Sequence, residues 1–166
     1  MPRAMVHVID EARGLDDLRD ARRLFAEYLA ALGVDLSFQN VADELRDLPG
    51  PYAPPRGTIL LARTQKGDAA GVVALKPLGR LGMGIAEMKR LYVCPDARGM
   101  GLAARLVAAI EDAARARGYD RLKLDTLGRL VAANRLYARL GYRPCAPYNE
   151  NPYADIRYFE KDLSVP

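Results

Sequence analysis

The chain has 166 residues, of which 50% are hydrophobic and 28% charged, and its formal net charge is +4. This size and composition predict one globular domain with a buried core, and no stretch reaches the roughly 18 apolar residues that a membrane span requires. The basic residues are scattered among acidic ones, which favours a small anionic ligand over specific binding of nucleic acid. The two cysteines have no metal-ligand spacing, and Met1–Met5 lacks the apolar core of a signal peptide. We therefore expect a protein of the reducing cytoplasm, with no metal site and no membrane partner.

The first part of the chain is predicted to form one strand and two helices. Met5–Ile9 has the pattern of a short strand, and Asp16 is placed to cap a helix that Gly33 ends. A shorter helix over residues 38–48 ends at a Pro-Gly pair, and residues 51–55 are then expected to form an extended loop. Two helices thus precede the main sheet.

The rest of the chain alternates strands with two more helices. Thr58–Arg63 and Ala70–Leu75 predict an antiparallel hairpin, and Ile85–Val93 is expected to pair antiparallel with its neighbour. The further predicted elements are a helix from Gly101 to Gly118, a strand at Arg121–Asp125, a helix at Arg129–Leu140, and strands at Tyr142–Arg143 and Ile156–Leu163. The order β-α-α-β-β-β-α-β-α-β-β predicts an α/β protein of the α+β type, with a mixed, mostly antiparallel sheet and helices on both faces.

The most informative segment is Arg98-Gly99-Met100-Gly101-Leu102-Ala103. Two glycines before a helix leave backbone N–H groups free to contact a phosphate, and the helix dipole adds positive potential there. Gly99-x-Gly101-x-x-Ala104 also satisfies a dinucleotide fingerprint, with Asp120 or Asp125 as the ribose-binding acid. That interpretation lacks room for a second nucleotide-binding half, and the upstream hairpin does not suit a doubly wound parallel sheet. A loop that only turns the chain is the other alternative.

Three segments together resemble the GNAT acetyltransferase superfamily. Arg98-x-x-Gly101-x-Ala103 resembles its pyrophosphate-binding motif, Arg/Gln-x-x-Gly-x-Gly/Ala. Leu91-Tyr92-Val93-x-Pro95 is similar to its fourth strand and the entry to the loop, and the segment 134–142 is similar to its second crossover helix and the turn that follows. The resemblance covers residues 58 to 163 and implies a single N-acetyltransferase domain, over residues 1–166, that uses acetyl-CoA as cosubstrate.

The resemblance also implies how acetyl-CoA is bound. Its pyrophosphate would contact the N–H groups from Arg98 to Ala103, and its pantetheine arm would add like an extra strand along the open edge of Leu91–Val93. Asn134 would bond the arm near its sulfur. The implied cofactor-binding residues are Leu91, Tyr92, Val93, Arg98, Gly99, Met100, Gly101, Leu102, Ala103 and Asn134.

Amine acetylation also needs a proton for the departing thiolate. Tyr137 lies where the family places that general acid, and a tyrosine with a pKa of about 10 is protonated at neutral pH. Tyr137 also lies on the apolar face of its helix with Leu136 and Leu140. Packing alone therefore remains an alternative role.

The expected base is Glu87, in the fourth strand. Simple alternation places Glu87 on one face with Lys89, Leu91 and Val93, although a bulge, which the family often has in this strand, would change the facing. The alternative role for Glu87 is an ion pair with Lys89 or Arg90. Weaker candidates for the base are Asp125, Glu44 and a chain of water molecules.

An aromatic and amide-rich tail either lines the acceptor pocket, closes the sheet edge or forms a homodimer contact. Its residues are Tyr148, Asn149, Asn151, Tyr153 and Tyr158. We expect an acyltransferase that passes an acetyl group from acetyl-CoA directly to a primary amine of a small metabolite. The alternative from another class is a sensor or scaffold that binds acetyl-CoA without turnover.

Overall fold

The computed structural model describes residues 6–33 and 40–164. Met5 of the predicted first strand and Phe38 of the predicted second helix lie outside the described residues. The strands are β1 His7–Glu11, β2 Thr58–Thr64, β3 Ala69–Pro77, β4 Ile85–Val93, β5 Arg121–Leu127, β6 Arg143–Pro144 and β7 Ile156–Asp162. The α-helices are α1 Gly14–Leu32, α2 Val41–Arg46, α3 Leu102–Ala116 and α4 Val131–Arg139. This order of strands and α-helices is the one that the sequence predicts.

In the described part of the chain, seven strands form one sheet in the order β1-β2-β3-β4-β5-β7-β6. Every neighbouring pair is antiparallel except β4 and β5, which are parallel. The sheet is therefore mixed and mostly antiparallel, as expected. A doubly wound parallel sheet is ruled out, because β3 and β4 pair antiparallel just before the glycine-rich segment.

Buried side chains lie on both faces of the sheet, in two clusters. Val73 of β3 belongs to the cluster that Leu106 and Ile110 of α3 cover, whereas its neighbour Val72 belongs to the cluster that Phe25 of α1 covers. Successive side chains of a strand point to opposite faces, so an apolar run such as β3 fills both clusters at once. We call the two sides of the sheet the α3 face and the α1 face.

Two predictions for the segment before β2 are wrong in detail. Helix α1 begins at Gly14, so Asp16 is not its N-cap; the carboxylate of Asp17 instead accepts the backbone N–H of Arg13 at 2.7 Å. An acidic residue in the first turn thus accepts a hydrogen bond from a backbone N–H at the start of the helix that has no partner within the helix. The expected extended loop after the Pro-Gly pair contains a short 3₁₀ turn, Gly50–Tyr52.

Strand β4 carries a bulge at Arg90 that changes which face its last residues occupy. Val72 pairs with Tyr92 but Ala74 pairs with Lys89, so β4 has one extra residue there, and Arg90 has a φ of 61°. Residues before the bulge keep the expected alternation. After it, Leu91 and Val93 pack on the α3 face, and the prediction that they share a face with Glu87 is wrong.

The parallel pairing of β4 with β5 is short. It joins Ile85–Glu87 to Arg121–Lys123, and beyond these residues the two strands separate. Within the described residues, the edge of β4 from Met88 to Val93 on the β5 side has no strand partner. We call the space between this edge and Leu124–Leu127 of β5 the strand gap. None of the helices described here is both long and apolar enough to cross a membrane.

Candidate active site

The segment between β4 and α3 has the geometry of an anion-binding site. Gly99 and Gly101 have φ values of 78° and 74°, a left-handed conformation that favours glycine. Within the described part of the chain, the backbone N–H groups from Gly99 to Ala104 donate no hydrogen bond. The N–H of Arg98, which the sequence also assigns to the phosphate, instead donates to the Pro95 carbonyl oxygen at 3.2 Å. A Cβ added at either glycine would meet no atom within 4 Å. We call these N–H groups the anion seat, and its donors and open space fit a diphosphate.

Arg98 is held at the edge of this seat. Its Nε donates to the Val93 carbonyl oxygen at 3.0 Å, and its guanidinium carbon lies 5.7 Å from the centre of the Tyr92 ring. These contacts fix the end of β4 to the loop. The positive charge of Arg98 therefore stays close to the N-terminus of α3, where it adds to the helix dipole.

Asn134 ties the end of β5 to the start of α4. Its Nδ2 donates to the carbonyl oxygens of Leu127 at 3.0 Å and Leu130 at 2.7 Å. Both amide hydrogens are used by these bonds, so the oxygen Oδ1 is the atom left for a ligand. The predicted contact with the pantetheine arm would therefore be made by Oδ1 accepting an amide N–H.

Tyr137 combines a packed ring with an available hydroxyl. The residue is 7% exposed, and its ring centre lies 5.8 Å from that of Tyr142 and 6.1 Å from that of Phe159. Its hydroxyl makes no hydrogen bond with any residue that the structure describes. Burial raises the pKa of Tyr137, and the charges of Tyr28 and Asp125 raise it further. The hydroxyl is consequently protonated across the physiological pH range.

Glu87 is buried on the α1 face, with 2% of its surface exposed. Its Oε2 accepts a hydrogen bond from the Tyr148 hydroxyl at 2.6 Å, and its Oε1 lies 3.5 Å from the ammonium nitrogen of Lys76. The alternative ion pair with Lys89 or Arg90 is therefore wrong. Lys76 belongs to the neighbouring strand and faces Glu87 across the β3–β4 pair.

Arg90 and Glu44 form a separate ion pair beneath α2. The Nε and Nη2 of Arg90 lie 2.9 and 3.1 Å from the two carboxylate oxygens of Glu44, and the Tyr52 hydroxyl donates to Oε1 at 2.8 Å. Burial acts to raise the pKa of Glu44, but its bonds with Arg90 outweigh burial and lower the pKa. A carboxylate held ionised in this way is a poor proton acceptor at neutral pH.

Asp125 of β5 faces β4 across the strand gap. Its Oδ2 accepts from Asn149 at 2.8 Å, and Asn149 in turn accepts from the Tyr158 hydroxyl at 2.7 Å. The other oxygen, Oδ1, lies 3.9 Å from the ammonium nitrogen of Lys89. Asn149 and Tyr158 thus belong to a hydrogen-bond chain that orients Asp125.

Two cavities meet at Lys89 and Arg90. A small cavity of about 40 Å³ lies in the strand gap, where Asp125, Asn151 and Tyr153 contribute to its wall. A larger one, of about 220 Å³, which we call the polar cavity, is lined mainly by charged and polar side chains. They include Glu44, Lys76, Glu87, Lys89, Arg90 and Asn149. Three of the five predicted tail residues therefore contribute directly to cavity walls.

An anion seat next to a mixed sheet that opens between two parallel strands is the arrangement expected for an acyltransferase of the GNAT superfamily. The Acetyltransferase (GNAT) family profile matches residues 18–142, and the chain belongs to this family. An uncharacterized N-acetyltransferase of Schizosaccharomyces pombe is 44% identical over 148 residues, which make up 89% of this chain and 90% of the relative.

Solved structures agree with this assignment. A Klebsiella pneumoniae protein, provisionally assigned as an acyl-CoA N-acyltransferase, has a TM-score of 0.70 and 31% identity, covering 95% of this chain and 98% of its own. A GNAT acetyltransferase of Staphylococcus aureus has a TM-score of 0.77 at 16% identity, covering 95% and 99%, and shows likeness of fold alone. The protein is an acyltransferase, and its family implies an acyl-CoA cosubstrate.

Proposed function

We propose that this protein transfers an acetyl group from acetyl-CoA directly to the primary amine of a small metabolite. The observation that carries the proposal is the course of β4. This one strand leads from the buried Glu87, past an edge that no described strand pairs with, into the anion seat. The same strand thus has a candidate base at one end and a candidate phosphate site at the other.

Acetyl-CoA, when bound, supplies the acyl group as a thioester. We propose that the N–H groups from Gly99 to Ala104, with Arg98 beside them, hold its diphosphate. The free edge of Leu91–Val93 would bond the amides of the pantetheine arm as a neighbouring strand does. Asn134 would contribute its Oδ1 near the sulfur end of the arm.

Two side chains would manage the protons of the reaction. The amine nitrogen must be neutral to attack the thioester carbonyl, where a C–N bond forms and the C–S bond breaks. Glu87 would take the proton that the amine loses, directly or through water. Tyr137 would donate its hydroxyl proton to the leaving sulfur and then recover a proton from solvent. The Tyr137 hydroxyl stays protonated at neutral pH, and it is therefore available as a donor when the C–S bond breaks.

Release of free thiol from acetyl-CoA in the presence of a mixed library of primary amines tests the proposal. We expect thiol release with at least one amine, and the corresponding N-acetyl product by mass spectrometry. We also expect coenzyme A, but not NAD, to raise the melting temperature, since a ligand at 100 times its Kd adds about 2.7 kcal/mol of stability. Stabilisation by coenzyme A without thiol release from any amine would instead indicate a sensor or scaffold.

A further inference from the structure

Lys89 is a half-buried cation whose hydrogen-bond donors are unused within the described part of the chain. Only 12% of its side chain is exposed, and it lies where the two cavities meet. The nearest carboxylate oxygen, Oδ1 of Asp125, is 3.9 Å from its ammonium nitrogen, which is too long for a hydrogen bond. Among the described residues, Lys89 donates no hydrogen bond. Its ammonium group can therefore bind an anion that enters either cavity.

Further positive charge converges on the polar cavity. Lys76 is 3.5 Å from Glu87, whose other oxygen is already bonded to Tyr148. Arg80 donates to the uncharged carbonyl oxygen of Tyr148 at 2.6 Å and is in no ion pair within the part of the chain described here. The wall also carries the carboxylates of Glu44, Glu87 and Glu150, but among the described residues neither Lys89 nor Arg80 is paired with any of these three. A carboxylate group on the ligand matches such donors.

Asp125 supplies the opposite charge on the other side of Lys89. Asn149 fixes its Oδ2, which leaves Oδ1 facing Lys89 across the 3.9 Å gap. An α-amino group and a carboxylate are attached to the same carbon in an amino acid, so their charges are separated by a similar short distance. A zwitterion can therefore lie against this pair with its carboxylate towards Lys89 and its amino group towards Asp125.

We propose that the acceptor is a free amino acid, whose carboxylate binds Lys89 with support from Lys76. Its amino group lies beside Asp125 in the strand gap, and the amine proton passes from there to Glu87 through water. The proposal rests on the acetyl transfer proposed above and names its substrate class. The cavity volume of about 220 Å³ is below the range of roughly 300–1,000 Å³ for sites of drug-sized ligands, and this favours a molecule as small as an amino acid.

Matched acceptor pairs test the proposal. The common α-amino acids and their α-amides differ in the carboxylate alone, and kcat/KM for each is measured by thiol release from acetyl-CoA. The amide has the less basic amine, so chemistry alone favours the amide. We expect the free acid to be preferred by at least about tenfold, the factor that one charge-assisted hydrogen bond supplies.

Variants of Lys89 separate recognition from folding. Lys89→Met should lower kcat/KM for the acid by roughly ten- to a hundredfold and lower that for the amide much less, so that the preference for the acid is lost. Lys89→Arg keeps the positive charge and should retain the preference for the acid. Lys66→Met removes an exposed lysine of the β2–β3 turn and should change neither substrate. Binding of each acid to the coenzyme A complex, measured by calorimetry, gives a second readout that needs no turnover.

The outcomes distinguish this proposal from the one on which it rests. Equal use of acids and amides, or acetylation of carboxylate-free amines alone, would overturn the amino-acid proposal and leave acetyl transfer intact. Binding of acids that Lys89→Met abolishes, without thiol release from any amine, would support the carboxylate site and overturn acetyl transfer. The absence of both binding and turnover for every acid would overturn the amino-acid proposal.

Discussion

Replacing Tyr137 with phenylalanine should separate catalysis from stability. The hydroxyl has no hydrogen-bond partner among the described residues, so its removal leaves no buried group without a partner. The ring contacts with Tyr142 and Phe159 remain. We expect the free energy of unfolding to change by less than about 0.5 kcal/mol, because no hydrogen bond between described residues is lost. If Tyr137 is the general acid, kcat should fall by about 10² or more, while the Kd of acetyl-CoA changes only a few fold.

Tyr142→Phe is the matched control. The Tyr142 hydroxyl donates to buried Glu111 at 3.1 Å, and Glu111 keeps its contact with Lys161 at 2.8 Å. Loss of this one bond should cost about 1–2 kcal/mol of stability and lower the melting temperature by roughly 2–8 °C, with kcat unchanged. The two measurements are steady-state thiol release and urea unfolding.

The opposite pattern would refute the assignment of the acid. Full turnover by Tyr137→Phe would remove Tyr137 from the chemistry and leave it a packing residue. If kcat falls equally in Tyr137→Phe and Tyr142→Phe, the cause is a general loosening of this cluster of aromatic rings and not the loss of a proton donor.

Three further variants test the cofactor site, the base and the buried ion pair. Gly101→Val should weaken acetyl-CoA binding by filling the open space at the anion seat. Gly118→Val, strained by a similar positive φ at the other end of α3, should lower stability alone. If Gly101→Val and the wild type have equal calorimetric Kd values for acetyl-CoA, the diphosphate binds elsewhere. Glu87→Gln should have a lower kcat than the wild type near neutral pH, and its kcat should recover at high pH, where the amine is already neutral. A pH profile of kcat parallel to that of the wild type would assign the base to water or another carboxylate. Arg90 lowers the pKa of Glu44 from 4.5, so the stability from their pair is present above that pH and lost as the pH falls through the folded pKa. In urea titrations, Glu44→Gln should start from a free energy of unfolding about 3 kcal/mol lower and lose less of it as the pH falls. A variant whose stability falls with acid as steeply as that of the wild type would contradict this role of the pair.

Local sequence patterns predicted the elements and the sheet class well. The β2–β3 hairpin, the strand Ile85–Val93 and both crossover helices follow from apolar periodicity and from glycines at turns, which are local physical signals. The facing of β4 could not be obtained in this way. Its bulge places Arg90, a residue with no special turn preference, in the left-handed region, and this is stabilised by tertiary contacts such as the one with Glu44.

The polar cavity is harder to predict than the anion seat. The anion seat is one continuous segment, so its glycines are visible in the sequence. The cavity instead brings Lys76 of β3 and Lys89 of β4 together with Asn149, which lies between β6 and β7. No spacing rule links them. The sequence predicts Glu87 as a site residue but not its partner Lys76, because that pairing depends on the β3–β4 register.

A crystal structure with coenzyme A bound would locate the diphosphate, the pantetheine arm and the sulfur. We expect the diphosphate to accept hydrogen bonds from the N–H groups of the segment Gly99–Ala104, and the pantetheine arm to lie along Leu91–Val93. We expect the sulfur to lie in the strand gap, within hydrogen-bond reach of the Tyr137 hydroxyl. A diphosphate bound away from this loop, or a sulfur outside the gap, would contradict the proposed function.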